Sequence, residues 1–431
     1  MKSLNYFHFI VIISFIGLTI KAQDTDAYNV IFNEPPQGGI SVMDTSGFVN
    51  PPFNRPDSLM RTPGFFDFTG GMEESLPGGV IKIAPGEDIQ AAIENMTNAG
   101  GGKIILEAGT HAYGSPLLLR DNVILEGAHP DSVIITNTTH HNWFQGNAFA
   151  IGMHHPMSET FPEDRRLAAR YEKIWFGPVQ KGDTTIIITD WNNNTLSAGQ
   201  MVLLQSNESM LAERPNNRST RHYIWPQFLK IVSVNDDTVI IDEPVITSYN
   251  EGIIHYPDNI SMVGFKTYFA ENVIVRNLTI KGNLWAALGA MRNVLMENLR
   301  NIPRTGQNSV TGIMINGMYR STLKNCEINH NARGIELKGS SALSVITGNI
   351  TNQSLPSKTT FPLVNTGENA YELHFIENRF NIAGFSDLKS MVEPFRFRQY
   401  KGSFKNNTTV YDGGHLTDEW IFIPNDQILP V

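Results

Sequence analysis

The chain has 431 residues, with 33 Lys and Arg against 42 Asp and Glu, a formal net charge of −9 and one cysteine, Cys326. A single cysteine excludes an intrachain disulfide and leaves little scope for a thiol-based metal or catalytic centre. The length would allow two or three ordinary domains, although a repeat architecture can use it as one body.

Lys2 is followed by a mostly apolar run, Tyr6 to Ile20, and then by Lys21-Ala22-Gln23. Residues 1–22 read as a secretory signal peptide cleaved after Ala22. The run is short for a bilayer span, and no later segment is apolar enough to insert in a membrane. The expected product is exported, secreted or periplasmic. Residues 23–80 are rich in Pro, Gly, Asn and Asp, as in NEPPQGG, NPPFNRPD and LPGG, and read as an irregular arm lying on the body or covering one end.

Residues 81–137 open with a helix signal. Ile89, Ala92 and Ile93 have helical spacing, Pro85 and Asp88 stand just before them, and Gly100-Gly101-Gly102 ends the segment ahead of the strand KIIL (103–106). A short amphipathic helix in this place shields the open end of a stack of strands. Residues 138–268 read as a β-rich insertion. Its core, KGDTTIIITDWNNNTLSAGQMVLLQSNE and QFLKIVSVNDDTVIIDEPV, predicts about five short strands with Asn- and Asp-rich turns. The insertion begins with one further candidate strand, AFAIGM (148–153), and carries a basic-aromatic loop containing Arg221, His222 and Trp225.

From residue 269 the chain repeats loosely every 21–30 residues: NVIVRNLTI (272–280), NVLMENLRN (293–301), STLKNCEIN (321–329), LSVITGNIT (343–351), YELHFIENRF (371–380) and KGSFKNNTTV (401–410). Each segment alternates apolar and polar residues, the signature of a strand with one buried face. Each carries an asparagine near the same place: Asn277, Asn298, Asn325, Asn349, Asn378 and Asn406. Units of this length cannot bury a core alone, so they stack, and short strands stacked at this period predict a β-solenoid over 269–431. The asparagines are read as a hydrogen-bonded ladder at the turns, and Cys326 as a small buried hydrophobe. Residues 272–411 hold 16 Lys and Arg against 8 Asp and Glu, a local charge of +8 in a chain of −9. That asymmetry points to an anionic partner on the repeats. Export and the lack of a basic cluster with interleaved aromatics on the repeats argue against nucleic acid.

The pattern Ile89-Gln90-Ala91-Ala92-Ile93, Gly100-Gly101-Gly102, Ile104, Leu106, Gly109-Thr110-His111 resembles the N-terminal cap of pectate-lyase-like right-handed parallel β-helix proteins. NVILEGAHPDSVIITN (122–137) is similar to the first turns after that cap, and HNARGIELKGSSALSVITGN to later ones. The resemblance covers roughly 81–137 and 269–411. It implies an all-β fold: a single-stranded right-handed parallel β-helix with an N-terminal capping helix and a β-rich insertion. It implies no one activity, because the superfamily includes lyases, hydrolases, epimerases and non-catalytic adhesins. It also implies that a substrate cleft runs along one outward strand face.

The register of the repeats suggests which side chains line that face. In GIELKGSS, Ile335 and Leu337 point inward, and Glu336 and Lys338 outward. GIMINGM places Met314 and Asn316 outward, and PFRFRQYKG places Arg396 and Arg398 outward. The register between them, in 355–392, is not fixed by the sequence. One outward column reads Asn316, Lys338, Arg398, and its neighbour Met314, Glu336, Arg396. A solvated, charge-balanced sheet face is the competing account.

Hydrolysis of a glycosidic bond usually needs a pair of carboxylates, whereas 272–411 contains one Asp, Asp387, and Glu336 stands alone on the face. β-Elimination on a uronate needs a cation to neutralise the carboxylate and a base to take the α-proton. Lys338 as base with Arg398 or Arg396 as carboxylate clamp suits that chemistry. His330, in the turn before Glu336 and beside Arg333, is a further acid–base candidate. Arg221, His222 and Trp225 are candidate cleft-wall contacts to sugar and anionic groups. His140-His141 and His154-His155 lack acidic or thiol partners at ligand spacing, and Asp236-Asp237 reads as a turn. No cofactor or metal is expected, and calcium lacks a supporting ligand cluster. The expected activity is a polysaccharide lyase on an acidic polysaccharide, the alternatives being a glycoside hydrolase using Glu336 and a non-catalytic carbohydrate-binding surface protein. No oligomer signal is visible, so a monomer is the default.

Overall fold

The computed structural model describes residues 40–44, 76–114, 116–138, 149–151, 174–190, 196–206, 227–246, 248–255, 261–262, 265–266, 269–282, 287–302, 312–330, 334–337, 341–353, 364–366, 371–383, 395–396, 400–405 and 407–412. Its main body is a right-handed parallel β-solenoid of about 7 turns. Three strand faces wrap one apolar core.

The first face stacks Val80–Ile83, Gly102–Leu106, Val123–Gly127, residues 273–276, 294–297, Thr322–Lys324, 345–347, 373–376 and 402–405 in parallel register. Its inward column runs Ile81, Ile104, Leu125, Val275, Met296, Leu323, Ile346 and Phe375. The second face stacks Gly109–Tyr113, Val133–Asn137, 278–281, 299–302, Glu327–His330, Ile350–Gln353, Arg379–Ala383 and Thr408–Asp412. Residues Ile40–Asp44 close its last edge by antiparallel pairing with Thr408–Asp412, which removes a bare strand edge from solvent. The third face carries 269–271, 287–292, Ile313–Tyr319, Ile335–Leu337, Val364–Thr366 and Phe395–Arg396. Phe149–Ile151 forms a strand parallel to Leu117–Leu119.

The helix α1, Ile89–Asn98, precedes the second strand of the first face. Asp88 caps it by accepting from the Ala91 amide at 3.1 Å. Its apolar stripe, Ile89, Ala92, Ile93 and Met96, is buried against the core. Gly101 ends it at φ 118°, where a side chain would meet Asn122, so glycine is required twice over.

Corners between faces need one residue per turn with left-handed backbone, which asparagine adopts at small cost. Between the first and second faces that position is held by Asn277, Asn298, Asn325, Gly348 and Glu377, with φ of 59, 51, 54, 64 and 56°. The repeated asparagines are thus of two kinds. The early ones sit at the left-handed position, and Asn298 Nδ2 donates to Asn277 Oδ1 at 2.9 Å. The later ones, Asn349, Asn378 and Asn407, sit one residue further on and are buried. There Asn349 Nδ2 donates to Asn378 Oδ1 at 2.9 Å, and Asn378 Nδ2 to Asn407 Oδ1 at 2.8 Å. The last rung of this ladder is therefore Asn407 and not Asn406, because the asparagine has moved from the corner itself to the inward position after it. Cys326 occupies that inward position one turn before Asn349, whose Oδ1 accepts from the Cys326 amide at 2.9 Å. It is a free thiol, 1 % exposed, and burial pushes its pKa up to about 12.

The insertion forms a six-stranded antiparallel sheet in the order Thr185–Ile187, Thr238–Ile241, Gln227–Asn235, Met201–Ser206, Gly252–His255, Ile174–Phe176. One side encloses its own core, including Ile174, Phe176, Ile186, Val202, Leu204, Leu229, Val239 and Ile254. Asp236, at φ 50°, makes the tight turn in NDD. From the other side Met201, Leu203 and Phe228, joined by Ile246, pack on Tyr319, Ala342, Leu343 and Val345 of the solenoid.

Candidate functional site

On the third face the alternation of strand side chains sends Ile313, Ile335 and Val364 into the core and the next residue of each strand outward. The outward column runs Met314, Glu336, Asn365 over three successive turns, and Arg396 is the register partner of Asn365 on the next. The sequence places Met314, Glu336 and Arg396 in one column, and the strand pairing does the same. It supplies the missing member, Asn365, which the irregular stretch 355–392 hides. Its signal is present: Val364-Asn365-Thr366 repeats the in-out-in pattern of Ile335-Glu336-Leu337. Asn365 Nδ2 donates to Glu336 Oε1 at 3.2 Å, linking two turns.

This column departs from the sequence reading in its exposure. Met314 and Glu336 are 4 % and 5 % exposed, so they are outward with respect to the solenoid core yet covered, rather than solvated. His330 departs further. It is the last residue of the strand Glu327–His330, not a turn residue, and shares the inward side with Ile328. It is fully buried, so its ring cannot reach a polymer lying on the surface, and it leaves the set of candidate acids and bases. Asn316 and Arg396 lie on strands of this face, and their side chains are outside the described residues, as are Lys338, Arg398, Arg333, Arg221, His222 and Trp225.

A second constellation, invisible in the sequence, joins the insertion to the solenoid. Arg292, 6 % exposed, places Nη2 2.7 Å from both Asp242 and Glu243 and Nε 3.6 Å from Glu271. Arg320 approaches Glu243 at 3.0 Å, the Tyr319 hydroxyl donates to Glu243 at 3.3 Å, and Lys230 pairs with Glu271 at 2.7 Å. Three cations thus meet three carboxylates, a neutral set that makes burial of each member tolerable. Burial pushes the Glu243 carboxyl above the ordinary range against the pull of Arg292 and Arg320. Burial also works against the Arg292 charge, but Glu243, Asp242 and Glu271 more than reverse this and raise its pKa. Burial, and then the Glu243 charge, raise that of Tyr319. Tyr319 is fully buried and Arg292 nearly so, so the centre of this constellation holds two units together, with Lys230 at its exposed rim. Residues 227–243 supply it from one side and residues from three different turns from the other, which is why no local motif announces it.

On the first face the outward charges pair with one another: Glu126 with Lys103 at 2.8 Å and Arg276 at 2.7 Å, Glu297 with Lys324 at 3.2 Å. Burial raises the Glu126 pKa, but the hydrogen bonds from Lys103 and Arg276 outweigh it and hold the carboxyl below the usual range. Among the described residues no group of three or more His, Cys, Asp or Glu is arranged to hold a metal ion, and no helix is long and apolar enough to cross a membrane.

No protein-family model matches the chain, and no curated protein matches it. Among solved structures it is similar to a tailspike protein of Pseudomonas phage LKA1, at 12% identity over 71% of this chain and 50% of that one, with a TM-score of 0.42. It is similar also to a tailspike of Pseudomonas phage phi297, at 13% identity over 74% of this chain and 56% of that one, with a TM-score of 0.43. A third is a tailspike of an Acinetobacter baumannii phage solved in complex with capsular saccharide, at 12% identity over 70% of this chain and 52% of that one, with a TM-score of 0.32. The chain spans about half the length of these proteins. At such identities and scores the likeness adds nothing to the coiling of strands already described.

Proposed function

We propose that the protein is an exported carbohydrate-active enzyme that cleaves an acidic, uronate-containing polysaccharide by β-elimination. The observation that carries this reading is the register of the third face, where Arg396 follows the covered Glu336 and its partner Asn365 on a segment whose local charge is +8. Strands stacked in register present side chains along the solenoid axis at the strand spacing of about 4.8 Å, a geometry suited to an extended polymer. A basic surface suits a polymer that is anionic.

In this proposal Arg396 and Arg398 neutralise the carboxylate at C6 of the sugar, which acidifies the proton at C5. The neutral amine of Lys338 takes that proton as general base. The C4–O bond then breaks, its electron pair leaves with the glycosidic oxygen, which takes a proton from water, a double bond forms between C4 and C5, and Lys338 returns the abstracted proton to solvent. In this scheme Glu336 stays paired with Asn365 and takes no part in the proton transfer. No step draws on a cofactor.

The role assignment is tested by Lys338→Ala and Arg398→Ala. Each is expected to lower kcat on the cleaved polymer by a factor of about 100 to 10,000, as loss of a general base or an oxyanion clamp does, with thermal stability unchanged. If both variants keep full activity, the assignment is wrong. A hydrolase using Glu336 would instead lose activity in Glu336→Gln and release reducing ends without an unsaturated product.

A further inference from the structure

At the corner between the third and first faces, the early turns follow the asparagine rule. Asn122, Asn272 and Asn293 have φ of 58, 59 and 54°. Asn272 Nδ2 donates to Asn122 Oδ1 at 2.9 Å, and Asn293 Nδ2 to Asn272 Oδ1 at 3.4 Å. The next three turns break the rule, with Arg320, Leu343 and Glu372 at φ of 46, 48 and 53°. A bulky side chain with positive φ is an outlier that persists only when its surroundings fix it.

The surroundings are the insertion. Arg320 reaches Glu243 at 3.0 Å, and Leu343, 1 % exposed, lies in one apolar cluster with Met201, Leu203, Phe228 and Ile246. Tyr319 and Ala342, each just before a break in the rule, complete the contact with an edge-to-face stack of Phe228 on Tyr319 at 5.9 Å. Glu372 lies 3.7 Å from His374, whose neighbour in register, Val345, belongs to the same cluster. Arg320 and Leu343 thus replace asparagine at two corners whose side chains meet the insertion, whereas the earlier corners keep asparagine although Glu271 and Arg292, just before Asn272 and Asn293, also bind insertion residues.

We propose that this corner is a latch: the strained backbone at Arg320 and Leu343 serves docking of the six-stranded insertion, which can separate as a unit from a solenoid that stays folded. The insertion has its own core, so separation exposes one side of its sheet without dissolving it. The docked turns include Ile313–Tyr319 and the strand pairing with it, so the latch acts on the turns that carry the outward column.

Leu343→Asn and Arg320→Asn separate this account from an ordinary structural role, because asparagine suits the left-handed corner better than either native residue. Hydrogen exchange is followed by mass spectrometry on the full chain. In both variants, peptides from Met201–Ser206 and Gln227–Ile241 are expected to exchange faster by a factor of about 10 to 100, with Phe269–Lys281 and Ala287–Ile302 as protected as before or more so. Parallel loss of protection in insertion and solenoid overturns the latch, because the two would then be one cooperative unit. Unchanged protection in the insertion overturns it as well. The readout needs no activity, so a failure of the polysaccharide reading does not touch it.

Discussion

Glu243 and Glu126 are both partly or fully withdrawn from water beside two cations, yet acid acts on them with opposite sign. For Glu243, burial outweighs its arginines and the pKa is raised. The docked state therefore binds the proton better than the exposed one, and the contribution of this group is present below the ordinary glutamate pKa and lost as pH rises through the raised one. For Glu126 the pKa is lowered. Its contribution is present above the ordinary value and lost as pH falls through the depressed one. Glu243→Gln is accordingly expected to give the insertion strands, at neutral pH, the hydrogen-exchange protection that the native chain reaches only on acidification. Glu126→Gln is expected to lower the urea midpoint at neutral pH and to match the native chain once the pH has fallen below the depressed pKa. If Glu243→Gln loosens the insertion at every pH, its ion pairs outweigh its burial and its pH dependence runs the other way. Neither behaviour is legible in the sequence, since both depend on partners that folding brings from distant positions.

The ladder of buried asparagines shows how far repeat reading reaches at the level of elements. The recurring asparagine and its hydrogen-bonding role are legible, because one residue per turn must satisfy the backbone where the chain bends. Its position to within one residue is not. Asn325 stands at the corner, Asn349 just past it, and the sequence between neighbouring turns varies in length. Asn378 is the best-connected rung: it accepts from Asn349 through the backbone amide at 3.0 Å and the side chain at 2.9 Å, and donates to Ile346 and Asn407 at 2.8 Å each. Asn378→Ala leaves several buried groups without partners and is expected to cost about 2–4 kcal/mol in denaturant unfolding. A loss below about 0.5 kcal/mol, the range of an ordinary surface substitution, would show that the ladder carries no such weight. His330 reads as a turn residue for a related reason. Alternation along Glu327–His330 places it with Ile328 on the core side, but the polar residues around it hide where the strand ends. Asn365 escapes the sequence because the stretch before it matches no neighbouring turn in length, and only the strand pairing restores the register.

For the whole molecule, the solenoid is legible because its contacts are nearly all between equivalent positions of adjacent turns, and a repeat in sequence is a direct record of them. The helix at its start is equally legible from apolar spacing and the glycine run. How the insertion sits on the solenoid is not, because Arg292 and Glu243 belong to no repeat segment, Leu343 opens one as an ordinary apolar residue, and none of the three carries a motif. A column of residues in register on one face and an insertion with its own core packed on the same turns frame the proposed β-elimination. That activity has a chemical signature that no binding protein and no hydrolase produces. The chain from Gln23 onward is incubated with a panel of acidic polysaccharides, and ultraviolet absorbance of 4,5-unsaturated uronate is followed against new reducing ends. A polysaccharide lyase gives rising absorbance on at least one polymer, with reducing ends appearing in step and the rise abolished in Lys338→Ala. Reducing ends without absorbance, or neither signal on any polymer, would contradict that activity.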